Sequence, residues 1–228
     1  MTAQKKELLA GVFLFTTFTA VLVVIFLPLL NGKNMMQYMD DLYNSISKGS
    51  VYYIPVLKEE SQRLESKITN VSLQLDDEQQ AKEVAALFTL SGAQEELSGS
   101  RLTVSGKLSD IMSNSLEDAD YLFHNQADKI QKKYGYHGKK ALYNWWIGLK
   151  KLDKELTRLK LFQDAKFVSA VLKRAVECSY NYYLIKPQHI SEKVLHVILS
   201  LVFYVVYTVW FGFAIMYILM GLGFKLEH

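Results

Sequence analysis

The sequence predicts a mainly α-helical fold: two transmembrane helices flanking an extracytoplasmic helical bundle that carries a small β-α-β-β insert. Three observations lead there. Val197 to Phe224 runs 28 residues without Asp, Glu, Lys or Arg, and Leu8 to Leu30 runs 23. Each exceeds the ~20 residues a helix needs to cross a hydrocarbon core. Between the two runs, apolar residues recur mostly at three- and four-residue steps, the period of a helix with one buried face, and only 68–106 changes to the two-residue period of strands.

The first run follows Lys5 and Lys6, as the apolar part of a signal peptide would. It is longer than such a segment, and it ends Phe26-Leu27-Pro28-Leu29-Leu30-Asn31-Gly32 with no small-x-small cleavage site. The reading is an uncleaved signal anchor over 8–30. The positive-inside rule then puts 1–7 in the cytoplasm. A second span over 194–224 returns the chain to that side, where Lys225 is consistent. The 225–228 tail, Lys225-Leu226-Glu227-His228, reads as partly tag-derived. Residues 31–193 are therefore expected outside, periplasmic or extracellular, in a two-pass protein of a cell inner membrane with both termini cytoplasmic.

That middle segment is large enough for one domain with its own core. It holds 23 Lys/Arg against 21 Asp/Glu over 31–194, so the formal net charge of +3 for the chain marks no concentrated basic face for nucleic acid. Cys178 is the single cysteine, which excludes an internal disulfide or a cysteine-built metal centre. An external domain without disulfides suits a bacterial protein.

After the first span, Met35, Met36, Met39, Leu42, Tyr43 and Ile46 mark an amphipathic helix over Asn34–Lys48. Pro55 suits the first turn of a short helix reaching about Glu65. Ile68, Val71, Leu73 and Leu75 predict a strand over 68–75. Asp76 or Asp77 then caps an Asp77–Thr89 helix with Ala81, Val84, Ala85 and Phe88 inward. A hairpin follows, with arms at Ala93–Leu97 and Arg101–Ser105 about a Ser98-Gly99-Ser100 turn.

From Lys107 the pattern is helical. Leu108 through Ile130 predicts one helix of some 24 residues, interrupted near Gly135 and Gly138. Leu142, Trp145, Leu149, Leu152, Leu156 and Leu159 advance by 3, 4, 3, 4, 3, a heptad-like seam for helix-on-helix packing. A last helix over Asp164–Tyr183 precedes Lys186-Pro187 and the second span.

Two rows stand out in that span. Phe203, Tyr207, Trp210, Ala214, Tyr217 and Gly221 share one stripe, predicted to pack either on the first span or on another subunit. A polar row, His196, Ser200, Tyr204 and Thr208, lies beside it. No charged residue sits within either run, which argues against an ion path through one copy.

In the middle segment, Tyr136, Tyr143, Trp145 and Trp146 form the most informative aromatic cluster. Adjacent tryptophans on a helix point about 100° apart, so one fills the core and the other is a contact for a partner. His124 and Asp120, four apart, are weak metal candidates more simply explained by a solvated ion pair, so no metal is expected. None of the carboxylate clusters follows a calcium loop, and no nucleophile elbow or phosphate-binding loop occurs. No cofactor and no catalytic residue is expected.

The reading is a non-enzymatic, membrane-anchored interaction or accessory subunit. It presents an external domain to partner proteins or self-associates, with lipid and other membrane subunits as partners and no nucleic acid. The alternatives are a ligand-binding sensor component lacking its own output domain, or a subunit of a homo-oligomeric channel.

Overall fold

A computed structural model describes residues 2–64 and 68–224. Among them the chain is mainly helical and forms two compact units, Met1–Ser47 with Pro187–His228, and Lys48–Lys186. The tail Lys225–His228, with the tag-like end, lies outside the described residues, as does Glu65.

The first unit is built on α1 (Ala3–Phe26) and α10 (Ile190–Gly221). Both are long and apolar enough to cross a membrane. They run somewhat displaced from the predicted 8–30 and 194–224, because helical backbone starts before each apolar run and stops short of its end. The aromatic stripe of α10 faces α1. Tyr207 stacks on Phe18 at 4.2 Å between centroids and donates its hydroxyl to the Phe18 carbonyl at 3.2 Å. Trp210 Nε1 donates to the Leu14 carbonyl at 3.1 Å, and Ala214 is buried. Small residues permit the approach: a Cβ on Gly11 would sit 2.6 Å from Ile218 N, and one on Gly221 2.5 Å from Leu8 N. Close packing of this kind is how helices associate where lipid removes the hydrophobic force. In the same unit, the part of α2 (Met35–Ser50) up to Ser47 joins α10 through a 2.6 Å Tyr43–Ser200 hydroxyl contact.

The second unit begins with Lys48. Helix α3 (Ile54–Gln62) starts around Pro55 as expected. Strand β1 (Ile68–Gln74), helix α4 (Glu78–Thr89) and strands β2 (Gln94–Ser98) and β3 (Arg101–Lys107) reproduce the β-α-β-β insert. Their sheet is antiparallel in the order β1-β3-β2. The register pairs Val71 with Val104 and Leu73 with Leu102, and all four side chains are buried. Asp77 caps α4 by accepting from Gln80 N at 2.7 Å.

The single helix expected from Leu108 to Ile130 is two: α5 (Leu108–Phe123) and α6 (Ala127–Tyr134). Asn125 breaks it with φ of +60°, a left-handed geometry that asparagine tolerates better than most residues. Helix α7 (Gly138–Arg158) carries the predicted seam, with Leu142, Trp145, Leu149, Leu152 and Leu156 buried. Leu159 departs from it, 43% exposed just past the helix end. Gly148 lets α7 meet α4: a Cβ there would lie 3.1 Å from Val84 and Phe88 side-chain atoms.

The last predicted helix of this unit is also interrupted. Helix α8 (Phe162–Val171) passes through a π-helical turn (Leu172–Glu177) into the one-turn α9 (Cys178–Asn181). The buried positions record the slip, with Val171 beside Leu172 and Ala175 beside Val176. Because α-helical residues turn about 100° each, the extra residue in the π-turn re-aims everything after it.

The unit's two chain ends are tied together. Lys48 is almost fully buried, and its ammonium donates to the carbonyls of Tyr182 at 2.9 Å and Ile185 at 2.6 Å. Asn125 completes the knot, accepting from Leu184 N at 2.7 Å and donating to Ile185 O at 3.3 Å.

Candidate functional site

The seam that buries one face of α7 leaves the opposite face to solvent. Lys139, Tyr143, Trp146 and Lys150 advance along it by 4, 3 and 4, so they form one outward row. Tyr143 is 47% exposed and stacks on the half-buried Trp146, with centroids 6.1 Å apart and planes 13° from parallel. Tyr180, on α9 beyond the π-turn, comes within 6.4 Å of Tyr143. The ammonium of Lys150 sits 4.3 Å over Trp146, and that of Lys139 4.7 Å over Tyr180. Three rings with a cation at either end therefore form one aromatic platform. Such contacts hold the rings in place before any partner arrives, at about 0.5–1 kcal/mol each where exposed.

Trp145 is not part of it. The ring is wholly buried, edge-on to Phe88 at 5.7 Å, and its Nε1 donates to Asp118 Oδ2 at 2.8 Å. Of the two adjacent tryptophans, only Trp146 is left for a contact. Tyr136 is half-buried elsewhere, accepting from Asn144 Nδ2 at 3.3 Å, and burial pushes its phenol above the ordinary range. Asn144 also donates to Glu83 at 2.9 Å, and Glu83 pairs with Lys140 at 2.5 Å. Asn144 and Lys140 tie α7 to α4 through Glu83.

Asp118 is the hub beneath. It is fully buried, receives the ammonium of Lys133 at 2.8 Å, and accepts from both the Tyr134 hydroxyl and Trp145. Burial first, and then the Asp118 charge, hold the Tyr134 phenol far above its usual range. Asn114 extends the network by donating to Ser91 Oγ at 2.8 Å and accepting from Lys133. A cavity of about 410 Å³ opens beside it, lined by Lys58, Asp110, Asn114 and Glu117 among others. Each of these four side chains already has a partner within the chain: Asp120, Ser109, Ser91 and Tyr121 respectively.

The weak metal candidates resolve in the same way. His124 Nδ1 lies 3.1 Å from Asp120, but Asp120 also accepts from Tyr52 at 2.7 Å and from Lys58 at 2.8 Å. Among the described residues no group of three or more His, Cys, Asp or Glu converges as a metal site. In the first unit, Tyr207, Trp210, Gly221 and the Tyr217 backbone meet α1, whereas Phe203 is exposed and stacks on Tyr207 of its own helix. His196 and Tyr204 are exposed, Ser200 meets Tyr43, and Thr208 bonds back to the Tyr204 carbonyl at 2.7 Å.

Sequence reasoning did not join Lys139, Lys150 or Tyr180 to this cluster; Tyr180, with Tyr182 and Tyr183, reads from sequence as a headgroup-level anchor before the second span. The two lysines were findable from the spacing once Trp145 is put on the seam. Tyr180 was not, because its position depends on the π-turn. No family model matches the chain, and neither a curated protein nor a solved structure matches it closely enough to establish a relationship.

Proposed function

We propose that this chain is a membrane-anchored, non-enzymatic interaction subunit. Helices α1 and α10 hold it in the membrane, and the Lys48–Lys186 unit docks a partner protein through the Tyr143–Trp146–Tyr180 platform. The observation that carries the reading is the platform itself: Tyr143 and Trp146 of α7 and Tyr180 of α9, three rings braced by Lys139 and Lys150 at the edge of the core. Aromatic side chains supply large contact area at small entropic cost and dominate interface hot spots. The buried ionisable hub at Asp118 is saturated by structural partners, which supports a scaffold role.

The proposal includes the sidedness read from the sequence. Lys5 and Lys6 lie in the cytoplasm, and the Lys48–Lys186 unit lies across the inner membrane in a bacterial periplasm. The partners are other membrane subunits or further copies of the chain. The test is the mass and composition of the complex extracted gently from its native membrane, wild type against Tyr143→Ala/Trp146→Ala. A defined assembly that the double variant loses, with its helical signal unchanged, supports docking through the platform. An assembly untouched by the variant sinks that assignment. Thiol labelling of cysteines placed at 2 and 96 tests the sidedness, which requires opposite accessibility at the two positions.

A further inference from the structure

A groove of about 730 Å³ runs along α8 in the Lys48–Lys186 unit, bordered by α3 and the end of α7. It shares no residue with the aromatic platform. Its floor is apolar and its rim is basic. Phe162, 63% exposed, and the half-buried Phe167 supply the floor. Lys166, Lys173 and Arg174 supply the rim, all three exposed. Among the described residues none of these cations is in an ion pair within 4.0 Å. Arg174 lies over the Tyr53 ring at 5.7 Å.

Two carboxylates face the same groove, Glu60 at the exposed rim and Asp153 on α7. Burial pushes the Asp153 carboxyl up, against the opposing pull of Lys173. Three cations thus face two acids, so the groove carries an excess of positive charge. The π-turn contributes here too, since Lys173 and Arg174 both belong to it. π-turns are over-represented at functional sites.

The dimensions select the shape of the occupant. Phe162 to Arg174 spans roughly 18 Å of helix at about 1.5 Å per residue, the length of five or six residues of extended chain. Lys166 and Lys173 are seven residues apart, about 10 Å, which three extended residues cover. We infer that the groove binds an extended acidic peptide segment of a partner protein, with carboxylates about three residues apart beside an apolar side chain that enters between Phe162 and Phe167. Leu159 and Leu161, at the α7–α8 turn just before Phe162 in sequence, are also exposed.

The test uses the full chain in zwitterionic nanodiscs and a fluorescein-labelled hexapeptide with two glutamates three positions apart around a phenylalanine. Anisotropy is read against the same peptide with glutamines. The glutamate peptide is expected to bind at least tenfold more tightly, with affinity falling as salt rises. The Lys166→Gln/Lys173→Gln/Arg174→Gln variant should lose at least tenfold while its circular-dichroism melt is unchanged. Should that triple variant misfold, Phe162→Ser carries the test, because its side chain is on the surface and its loss leaves the core intact.

Equal affinity for the two peptides overturns the inference, as does binding that survives both sets of substitutions. Binding of anionic phosphatidylserine vesicles by the same cations, without binding of the peptide, also overturns it in favour of a lipid surface. Tyr143→Ala/Trp146→Ala should leave peptide affinity unchanged. Loss there, with affinity kept in the triple variant, would move the peptide to the platform and remove the groove from the account.

Discussion

Replacing Asp118 with alanine removes the acceptor on which three donors converge. Trp145 Nε1 and the Tyr134 hydroxyl lose their partner inside the core, and Lys133 loses its 2.8 Å counter-charge. A buried donor left unpaired costs about 1–3 kcal/mol, so the two neutral donors together set a range of about 2–6 kcal/mol. Lys133 adds less, because its side chain keeps some exposure and Glu117 lies 3.5 Å away to receive it. The expected loss is about 3–5 kcal/mol, the range seen when one partner of a buried ion pair is removed. That is a large share of the 5–15 kcal/mol typical of a whole domain. Urea unfolding of the full chain in micelles, followed by far-ultraviolet circular dichroism, measures it. The apolar helices stay folded in micelles, so the transition reports the Lys48–Lys186 unit. Asp118→Asn, which keeps one carbonyl acceptor, should lose about half as much. A loss below about 1 kcal/mol in the alanine variant, with unchanged tryptophan emission, would refute the role of Asp118 as hub and the structural assignment of Trp145.

Three further outcomes follow from the same geometry. Gly221→Leu should separate α1 from α10, because a Cβ there already meets Leu8 N at 2.5 Å; energy transfer between dyes on the two helices should fall, whereas Tyr207→Leu and Trp210→Leu, at about 0.6 kcal/mol for each lost bond, should only loosen the pair. Unaltered transfer in Gly221→Leu would show that the helices do not meet along that line. Lys48→Met keeps the length of the side chain but removes its bonds to the Tyr182 and Ile185 carbonyls; amide exchange at Leu184 and Ile185 should quicken about tenfold, and unchanged protection would mean the knot bears no load. Burial and the bond to Asp120 push Tyr52 up to about 12, so the folded state keeps a proton that the unfolded state gives up near pH 10. The stability this bond contributes is fully present below about pH 10 and is lost as pH rises towards 12. Ultraviolet titration should show several late tyrosines, of which one returns towards its ordinary range in Asp120→Asn, and no change in that variant would exclude the bond.

Much of the architecture was legible because helix and strand periods are local. The seam from Leu142 to Leu156, the strand pair through Val71 and Leu73, and the Asp77 cap were all readable from side-chain spacing alone. The same spacing put Trp145 on the seam, but both tryptophans stayed candidates for an outward contact until the burial of the Trp145 ring decided between them. The stripe from Tyr207 to Gly221 showed which face of α10 packs, although not that α1 fills it.

The misses have a common origin. Apolar residues continue past Asn125, so the pattern could not show that the backbone turns left-handed there. The π-turn after Val171 is invisible to any 3.6-residue count, yet Tyr180 reaches Tyr143 only through it, and Lys173 and Arg174 meet the groove from within it. Asp118 stood in a run of acidic residues that reads as a solvated helix surface, until Trp145, 27 residues away, and Tyr134 close over it.

By itself, then, the sequence determined where helices and strands form, which faces they bury and which two helices suit a membrane, since those properties arise from neighbours three or four residues apart. The tertiary structure alone decided which residues from separate elements converge on Asp118, on the platform and on the groove. Such convergence depends on how elements pack and where a helix slips by one residue, and no local spacing carries that information.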